Sequence, residues 1–435
     1  MILNKSLNTP LYMQIYSFYK HAILENTLSA NEKFPSIRQL ALKHSLSKTT
    51  IEKAYNQLLI EGYIESYPKS GYYVAKLDLI KTKDPITNPK SQLVKSFINQ
   101  YQSMHSFDLN QFKKCMQDIM HYEGHLLFEP LNPQGEYALR HEIRKHLNEE
   151  RGVVCQSDQI IIASGTQNQL MNLAALTSKR RVAYLVPLFS RAKHVFDLLK
   201  FESIPCHTID EMIQTKADFI YISPSNLYPS GSVLSVKDRL RLIRYAQENK
   251  AFIIEDDYNH IFRYNAALIP SIQGLAKGNH VIYIGSFSRN LLISMRMSYM
   301  VLPFELIKAY LDTPRFAQTV SKIDQLSLAK FMRDGHYKKH LRHLSHDSKK
   351  QNESIQSLIE TYPFSEAVLT IGGLESNLHI LFKVRTKSQI ERIKERAKKY
   401  PVYIQTFEEL PTSFLLPYSN LSSDVLKQVL DYIFT

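Results

Sequence analysis

The chain has 435 residues, of which 44% are hydrophobic and 22% are charged, a balance typical of globular proteins and not of disordered chains. Its length is sufficient for more than one domain and for a large buried core. The formal net charge of +13 indicates an anionic partner, either nucleic acid or a small phosphorylated or carboxylated ligand, although a solvated basic surface would have the same composition.

Signals for export, membrane insertion and metal binding are absent from the sequence pattern. The first twenty residues lack the basic start, apolar stretch and cleavage site of a signal peptide, and no window approaches eighteen uninterrupted apolar residues. Cys115, Cys155 and Cys206 are far apart and have no nearby histidine at metal-binding spacing. We therefore expect a cytoplasmic protein with reduced thiols, no membrane segment and no metal.

The first 75 residues show the pattern of three helices followed by a hairpin. Leu11, Ile15, Tyr19 and Ile23 recur at helical spacing, and a second helix is predicted within FPSIRQLALKHS. A third helix is predicted within LSKTTIEKAYNQLLIEGY, beginning after the N-cap candidate Ser47. The following YIESYPKSGYYVA predicts two strands joined by a tight turn. Helix, helix and hairpin in this order predict a winged helix-turn-helix domain.

Polar and basic side chains cluster on the predicted recognition helix, on the helix before it and at the tip of the wing. Hydroxyl groups and cations contact phosphates and base edges in DNA complexes. The charges alone are also typical of a small helical domain with a solvated basic face, but the ordered helix, helix and wing favour DNA binding. The candidate DNA-binding residues are Arg38, Ser47, Lys48, Thr49, Thr50, Lys53, Lys69 and Ser70.

This segment resembles the GntR family of bacterial transcription regulators. The resemblance rests on PLYMQIY, LSANEKFPSIRQLA, LSKTTIEKAYNQLLIEGYIES and the wing KSGYYVA, which together cover nearly all of residues 9–75. Asn31 stands where the family usually has glycine, and Lys48 stands where many members have arginine. A lysine retains a phosphate contact but does not form a bidentate contact with guanine.

A linker and a second, larger domain are predicted after the wing. Residues 76–92 are polar and rich in lysine and hold two prolines, which predicts a linker, so that the second domain covers 93–435. Between about 155 and 303, the apolar runs QIIIAS, RVAYLVP, DFIYISP, AFIIEDD, HVIYIGSF and MSYMVLP alternate with helical patterns. This α/β pattern predicts a large, mainly parallel sheet covered by helices.

Residues from about 304 to 435 predict a smaller α+β subdomain. They begin with the helical FELIKAYL and continue through one charged helix, FMRDGHYKKHLRHLSHDSKKQNESIQSLIE. Short strands are predicted near NLHILFKV and SFLLPY.

Four loops follow the predicted strands of the large sheet, where ligands bind in open α/β folds. ASGTQNQL opens a helix at Gly165, and its free backbone N–H groups are suited to a phosphate. SPSNLYPSG aims Asn226 or Tyr228 at a ligand or is simply a turn. IIEDDYN places Asp256 and Tyr258 at the end of a strand, and GSFSRNLLISMR is the fourth loop.

Together the four loops resemble the pyridoxal-phosphate site of fold-type-I aminotransferases. The whole chain is similar to the MocR/GabR group, which joins a GntR-type DNA-binding domain to such a fold, and the resemblance extends through NPQGEYALRHEIRKHLNEERGV and FMRDGHYKKHLRHLS. In that group the residue at Asp256 pairs with the pyridine nitrogen, that at Tyr258 reaches the ring hydroxyl, and that at Arg296 helps to hold the phosphate. The resemblance implies a cofactor-binding set of Gly165, Thr166, Gln167, Phe189, Asn226, Asp256, Tyr258, Ser286, Ser288, Arg289 and Arg296.

Arg289 departs from the family pattern, because the lysine that holds the cofactor as a Schiff base aligns with it. No lysine lies between Lys277 and Lys308, and a guanidinium stays protonated and offers no free amine to an aldehyde. Three further positions bear on the resemblance. Phe189 is the aromatic residue expected to stack on the cofactor ring, and Leu185 stands where an acidic residue is common in the family. The stretch ELPTSFLLPYS lacks an arginine that would bind a substrate carboxylate. We therefore expect no catalytic residues and, at most, noncovalent binding of pyridoxal phosphate.

The sequence thus predicts a homodimeric, DNA-binding transcription regulator with an aminotransferase-like domain. That domain is either a scaffold for dimerisation or a pocket for a small anionic effector. The alternative from a different functional class is a pyridoxal-phosphate-dependent enzyme with an accessory DNA-binding module, and Arg289 discriminates between the two.

Overall fold

The computed structural model describes residues 10–25, 27–77, 107–258, 270–288, 290–313, 317–364, 368–374, 378–399, 402–419 and 421–434. These residues belong to two compact units, one within 1–92 and the other within 93–435. The predicted linker at 76–92 lies almost entirely outside the described residues, so its character stays a prediction.

The described part of the first unit, residues 10–25 and 27–77, has three helices and a two-stranded antiparallel sheet, as predicted. The helices are α1 (Leu11–Leu24), α2 (Ile37–His44) and α3 (Lys48–Ile60), and the strands are β1 (Ile64–Tyr67) and β2 (Gly71–Val74). A capping box formed by Ser36 and Gln39 begins α2, and the left-handed Ser45, with φ of 51°, ends it. Tyr55 of α3 is fully buried and donates a hydrogen bond to the carbonyl of Pro35 at 2.8 Å, which ties α3 to the start of α2.

The second unit contains a seven-stranded sheet in the order β3-β9-β8-β7-β6-β4-β5. Its strands are β3 (Ile160–Ser164), β4 (Arg181–Leu185), β5 (Glu202–Cys206), β6 (Phe219–Ile222), β7 (Phe252–Asp256), β8 (Val281–Ser286) and β9 (Met297–Val301). The six predicted strands are confirmed, and β5 is an edge strand that the sequence pattern missed. The sheet is mainly parallel, because only β9 runs against its neighbours β3 and β8.

Helices cover both faces of the large sheet, because its central strands are apolar on both sides. They are α4 (Leu109–Tyr122), α5 (Tyr137–Arg151), α6 (Gly165–Leu176), α7 (Ser190–Leu198), α8 (Ile209–Gln214), α9 (Val236–Asn249), α10 (Ile272–Leu275), α11 (Phe304–Leu311) and α12 (Lys322–Arg333). Leu306 of α11 and Leu328 of α12 pack into the cores of this sheet. Both helices therefore pack with the large sheet, which differs from the subdomain boundary expected at about residue 304.

A four-stranded antiparallel sheet, ordered β10-β11-β13-β12, forms the core of the small subdomain. Its elements are β10 (Val368–Gly372), β11 (His379–Val384), β12 (Gln405–Thr406), β13 (Ser413–Pro417), α13 (His336–Thr361), α14 (Lys387–Lys399) and α15 (Ser423–Phe434). The single charged helix predicted from residue 331 is wrong. Gly335, with φ of 79°, separates α12 from α13, since this left-handed conformation suits glycine and interrupts a helix. None of the described helices combines the length and apolar character needed to cross a membrane.

Candidate DNA-binding surface and ligand pocket

The amino-terminal end of α3 presents the predicted DNA-contacting side chains. The hydroxyl of Ser47 accepts a hydrogen bond from the Thr50 N–H at 3.2 Å and lies 2.7 Å from the Thr50 hydroxyl, which fixes the first turn. Lys48, Thr49 and Lys53 are exposed on this helix. Their side chains therefore face solvent from a rigidly capped turn, as a recognition helix requires.

Other predicted DNA contacts lie on α2 and at the tip of the wing. Arg38 is exposed near the start of α2, and Lys69 and Ser70 are exposed in the turn between β1 and β2. Lys69 has a φ of 61°, and the Ser70 hydroxyl lies 2.7 Å from the hydroxyl of Tyr73, which holds the tip of the wing. The positions are those of a winged helix, while the DNA-binding role of each side chain stays a prediction.

Sheet topology brings the four predicted ligand loops to one edge of the large sheet. Strands β6, β7 and β8 are mutually parallel, and β3 runs in the same direction because it is antiparallel to β9, which is antiparallel to β8. The carboxyl ends of these four strands therefore meet at the same edge. The register of β3 and β9 pairs Ser164 with Met297, which places Gly165 beside Arg296.

The Gly165–Arg296 pair has the geometry of an anion-binding corner. Gly165 begins α6 with φ of 78°, and a Cβ added there would lie 2.7 Å from Nη2 of Arg296. Among the described residues, the N-cap Ser164 gives the first turn of α6 no side-chain hydrogen bond. Thr166 and Gln167 follow in that turn, so backbone N–H groups and a guanidinium converge on the same space.

Asn226 has a buried side chain that lacks hydrogen-bond partners within the described residues. The residue is 3% exposed, and neither Oδ1 nor Nδ2 of its amide is bonded. Its backbone carbonyl accepts a hydrogen bond from the Tyr258 hydroxyl at 3.3 Å, which joins the second and third loops. Since buried polar groups are usually bonded, the free amide is a position at which a ligand would supply the missing partner.

Asp256 ends β7 and is buried beside the adjacent strand β6. Its Oδ2 atom accepts a hydrogen bond from the hydroxyl of Tyr221. Burial and the nearby Asp256 carboxylate raise the pKa of Tyr221 well above its usual value, so this phenol remains a donor. The carboxylate is therefore oriented by a residue that the sequence pattern did not single out.

The remaining predicted ligand residues lie around the same edge. The N–H of Ser288 donates to the Ser286 hydroxyl at 3.2 Å, and the Ser288 hydroxyl is buried without a bonding partner among the described residues. The ring of Phe189 lies 6.0 Å from that of Tyr228, in an edge-to-face arrangement. Arg289 lies outside the described residues.

A buried ion pair beneath the loops connects two of them to α5. Nε of Arg151 lies 2.7 Å from Oδ2 of Asp257, and the two side chains are 3% and 0% exposed. The same guanidinium donates to the Ser225 hydroxyl at 2.8 Å, and the Tyr283 hydroxyl donates to Asp257 at 2.6 Å. Ser225 precedes Asn226 in the second loop, and Asp257 follows Asp256 in the third loop. The Arg151 guanidinium therefore holds both loops in place.

Glu255 adds a second carboxylate to this buried layer. Its two oxygens accept hydrogen bonds from the N–H groups of Ile272 and Gln273 at 2.9 and 2.8 Å. Burial, together with the nearby charge of Asp257, raises the pKa of Glu255 to about 7.

These residues fit the phosphate and the ring of pyridoxal phosphate. The corner at Gly165 and Arg296 suits phosphate oxygens, and the free amide of Asn226 and the carboxylate of Asp256 are suited to polar groups on a heteroaromatic ring. The described residues therefore form a site that would accept a phosphorylated aromatic ligand.

The winged helix-turn-helix and the ligand pocket are typical of proteins that join a DNA-binding domain to an aminotransferase-type domain. The family model described as "Bacterial regulatory proteins, gntR family" matches residues 11–74, and "Aminotransferase class I and II" matches residues 95–433. Among solved structures, the chain is similar to the kynurenine aminotransferase of Pyrococcus horikoshii, with a TM-score of 0.68 and 19% identity over 77% of this chain and 87% of that one.

Two bacterial relatives match the chain over most of their length. The chain is 33% identical to the "Uncharacterized HTH-type transcriptional regulator YdeL" of Bacillus subtilis, over 98% of this chain and 96% of the relative. It is 25% identical to the "Probable rhizopine catabolism regulatory protein MocR" of Rhizobium meliloti, over 79% of this chain and 76% of the relative. The chain belongs to the MocR-type transcriptional regulators of the GntR family, with an aminotransferase-like domain.

Proposed function

We propose that this regulator binds operator DNA through α3, Arg38 and the wing. The observation that carries the proposal is the capped first turn of α3, which presents Lys48, Thr49 and Lys53 to solvent. Lys69 and Ser70 at the tip of the wing supply further phosphate contacts. Ser47 and Thr50 shape this turn, and their hydroxyl groups remain at the surface that faces DNA. A protein with this task works in the cytoplasm, where the DNA is.

The second part of the proposal is that the pocket binds a phosphate-bearing effector without a covalent bond. Gly165, Thr166, Gln167 and Arg296 would hold the phosphate, and Asp256 and Asn226 would bind the polar groups of the ring. When bound, pyridoxal phosphate would supply an aldehyde, which needs a lysine amine for covalent attachment. Arg289 offers no such amine, so the domain serves as a sensor and not as an aminotransferase.

The remaining cofactor-binding candidates have narrower roles in this proposal. Phe189 would cover one face of the ring, and the Tyr258 hydroxyl, which donates its proton to the Asn226 carbonyl, would accept a hydrogen bond from a ring hydroxyl. Ser286 and Ser288 lie on the Arg289 loop, where they would bond to a second polar group of the ligand.

We also propose that the chain works as a homodimer. The segment around residues 120–137 presents an unusual amount of apolar surface, with Phe128 93% exposed and Tyr122 73% exposed. Exposed aromatic side chains in one region are typical of protein interfaces, and two winged helices on one scaffold would bind paired half-sites. Sedimentation should give about twice the 50.5 kDa of the chain, whereas Phe128→Asp should sediment as the monomer. A wild-type monomer at micromolar concentration would contradict the dimer.

One experiment on the full chain separates the sensor from the enzyme alternative. Binding of the chain to operator fragments selected from genomic DNA is measured by fluorescence anisotropy, with and without pyridoxal phosphate. The chain treated with pyridoxal phosphate is then reduced with borohydride, and its mass is measured. We expect DNA binding that the ligand changes and no covalent adduct in the pocket. Arg289→Lys should gain an adduct at that position. A reduced adduct on a pocket lysine of the wild-type chain, together with transaminase turnover, would support the enzyme.

A further inference from the structure

Cys115, Asp334 and His336 come together in the second unit, and none of the three belongs to the four ligand loops. Their potential ligand atoms, a thiol, a carboxylate oxygen and an imidazole nitrogen, all lie within 4.8 Å of one another. Cys115 is on α4 and is 2% exposed, whereas Asp334 and His336 flank Gly335 between α12 and α13. We propose that these three side chains form a binding site for a divalent cation of the zinc class.

The donor set fits zinc better than it fits a hard cation. Thiolate and imidazole are the preferred ligands of Zn²⁺, while Mg²⁺ and Ca²⁺ prefer oxygen ligands. With bonds of about 2.0–2.3 Å in a tetrahedral site, ligand atoms lie about 3.3–3.8 Å apart. The three atoms lie within 4.8 Å of one another, so side-chain rotation has to close each gap by no more than about 1.5 Å. The fourth position is left to water or to a ligand from outside the chain.

The backbone at Gly335 is the reason that the three groups converge. Gly335, with φ of 79°, separates α12 from α13, and the ligand atoms of its neighbours Asp334 and His336 both approach Cys115 of α4. The ring of His336 is held against Phe331, with centroids 5.5 Å apart. A cation at this corner would connect α4 to the junction between α12 and α13.

Lys330 is the group that opposes cation binding, and the structure offers it an alternative partner. Its Nζ lies 2.9 Å from Oδ2 of Asp334 and 3.5 Å from Oδ2 of Asp118. A small rotation towards Asp118 would release the Asp334 carboxylate to the cation. Binding converts the Cys115 thiol to a thiolate and releases one proton, so the two negative ligands balance the charge of the cation.

Cobalt binding tests this site, because Co²⁺ bound by a thiolate has a charge-transfer band in the near ultraviolet. The full-length chain is first reduced and treated with a chelator to remove bound metal. We expect one equivalent of Co²⁺ to produce the band and stoichiometric Zn²⁺ to remove it. Cys115→Ser and His336→Ala should each abolish the band, and the controls Cys206→Ser and His346→Ala should keep it. Circular dichroism establishes that each variant is folded.

Three results would overturn the site: no thiolate band in the wild-type chain, a band that survives in Cys115→Ser, or a band unchanged in His336→Ala. If the buried Cys115→Ser variant does not fold, the half-buried His336 still decides the outcome, because its ring packs at the surface of the junction. Retention of the band in His336→Ala would then reject the three-ligand set.

Discussion

Replacing Arg151 by methionine tests whether the buried ion pair supports the ligand loops. The substitution keeps much of the side-chain volume but removes the guanidinium that bonds to Asp257 and Ser225. The Asp257 side chain is 0% exposed, so its charge would remain buried after the change. Loss of one partner from a buried pair costs about 3–5 kcal/mol, because the other charge is left without its counterion.

Urea denaturation followed by circular dichroism measures this loss for the second unit. Arg241→Met is the matched control, since Arg241 pairs with Asp238 and Asp210 on a solvent-accessible surface and its removal should change the transition little. Arg151→Met/Asp257→Asn should recover a large part of the stability, because it removes both charges. A loss below about 1 kcal/mol in Arg151→Met, or no recovery in the double variant, would show that the buried ion pair does not support the loops.

Three further predictions follow from the described contacts. Lys48→Ala/Lys69→Ala should weaken DNA binding across sequences and lower the slope of log K against log salt by about two units in anisotropy titrations, and an unchanged slope would reject these phosphate contacts. Gly165→Ala should weaken the binding of pyridoxal phosphate by about tenfold in calorimetry, since its Cβ would meet the Arg296 guanidinium at 2.7 Å; equal affinity would place the phosphate elsewhere. Because the folded-state pKa of Glu255 is raised from 4.5 to about 7, its stabilising contribution is present below pH 4.5 and is lost as the pH rises through 7. Relative to Glu255→Gln, the wild-type chain should lose about 3 kcal/mol over that interval in urea melts, and a pH-independent difference would contradict the raised pKa.

Much of the fold was predictable because the sequence signals are local. The six apolar runs of the large sheet are long and bounded by polar loops, and the capped helices of the first unit begin at Ser36 and Ser47, where the side chains cap them. The break between α12 and α13 was missed because the charged pattern continues on both sides of Gly335. The edge strand β5 was missed because ESIPC is short and half-polar.

The ligand site was predictable only in part, since several contacts join residues that are distant in sequence. Gly165 and Arg296 meet because of the register between β3 and β9, and local pattern carries no information on that register. Arg151 lies within the quoted motif NEERGV, but its partner Asp257 is 106 residues away. The sequence pattern marks Tyr221 only as a residue of an apolar strand, and its contact with Asp256 depends on the pairing of β6 with β7.

Mapping the occupancy of this chain on its own genome shows whether it is a sequence-specific DNA-binding regulator. The wild-type protein is compared with Lys48→Ala/Lys69→Ala, both crosslinked at equal cellular concentration. Sequence-specific regulation by this chain predicts discrete sites that share a motif of paired half-sites, and loss of these sites in the variant. No discrete sites, or the same sites at equal occupancy in the variant, would contradict it.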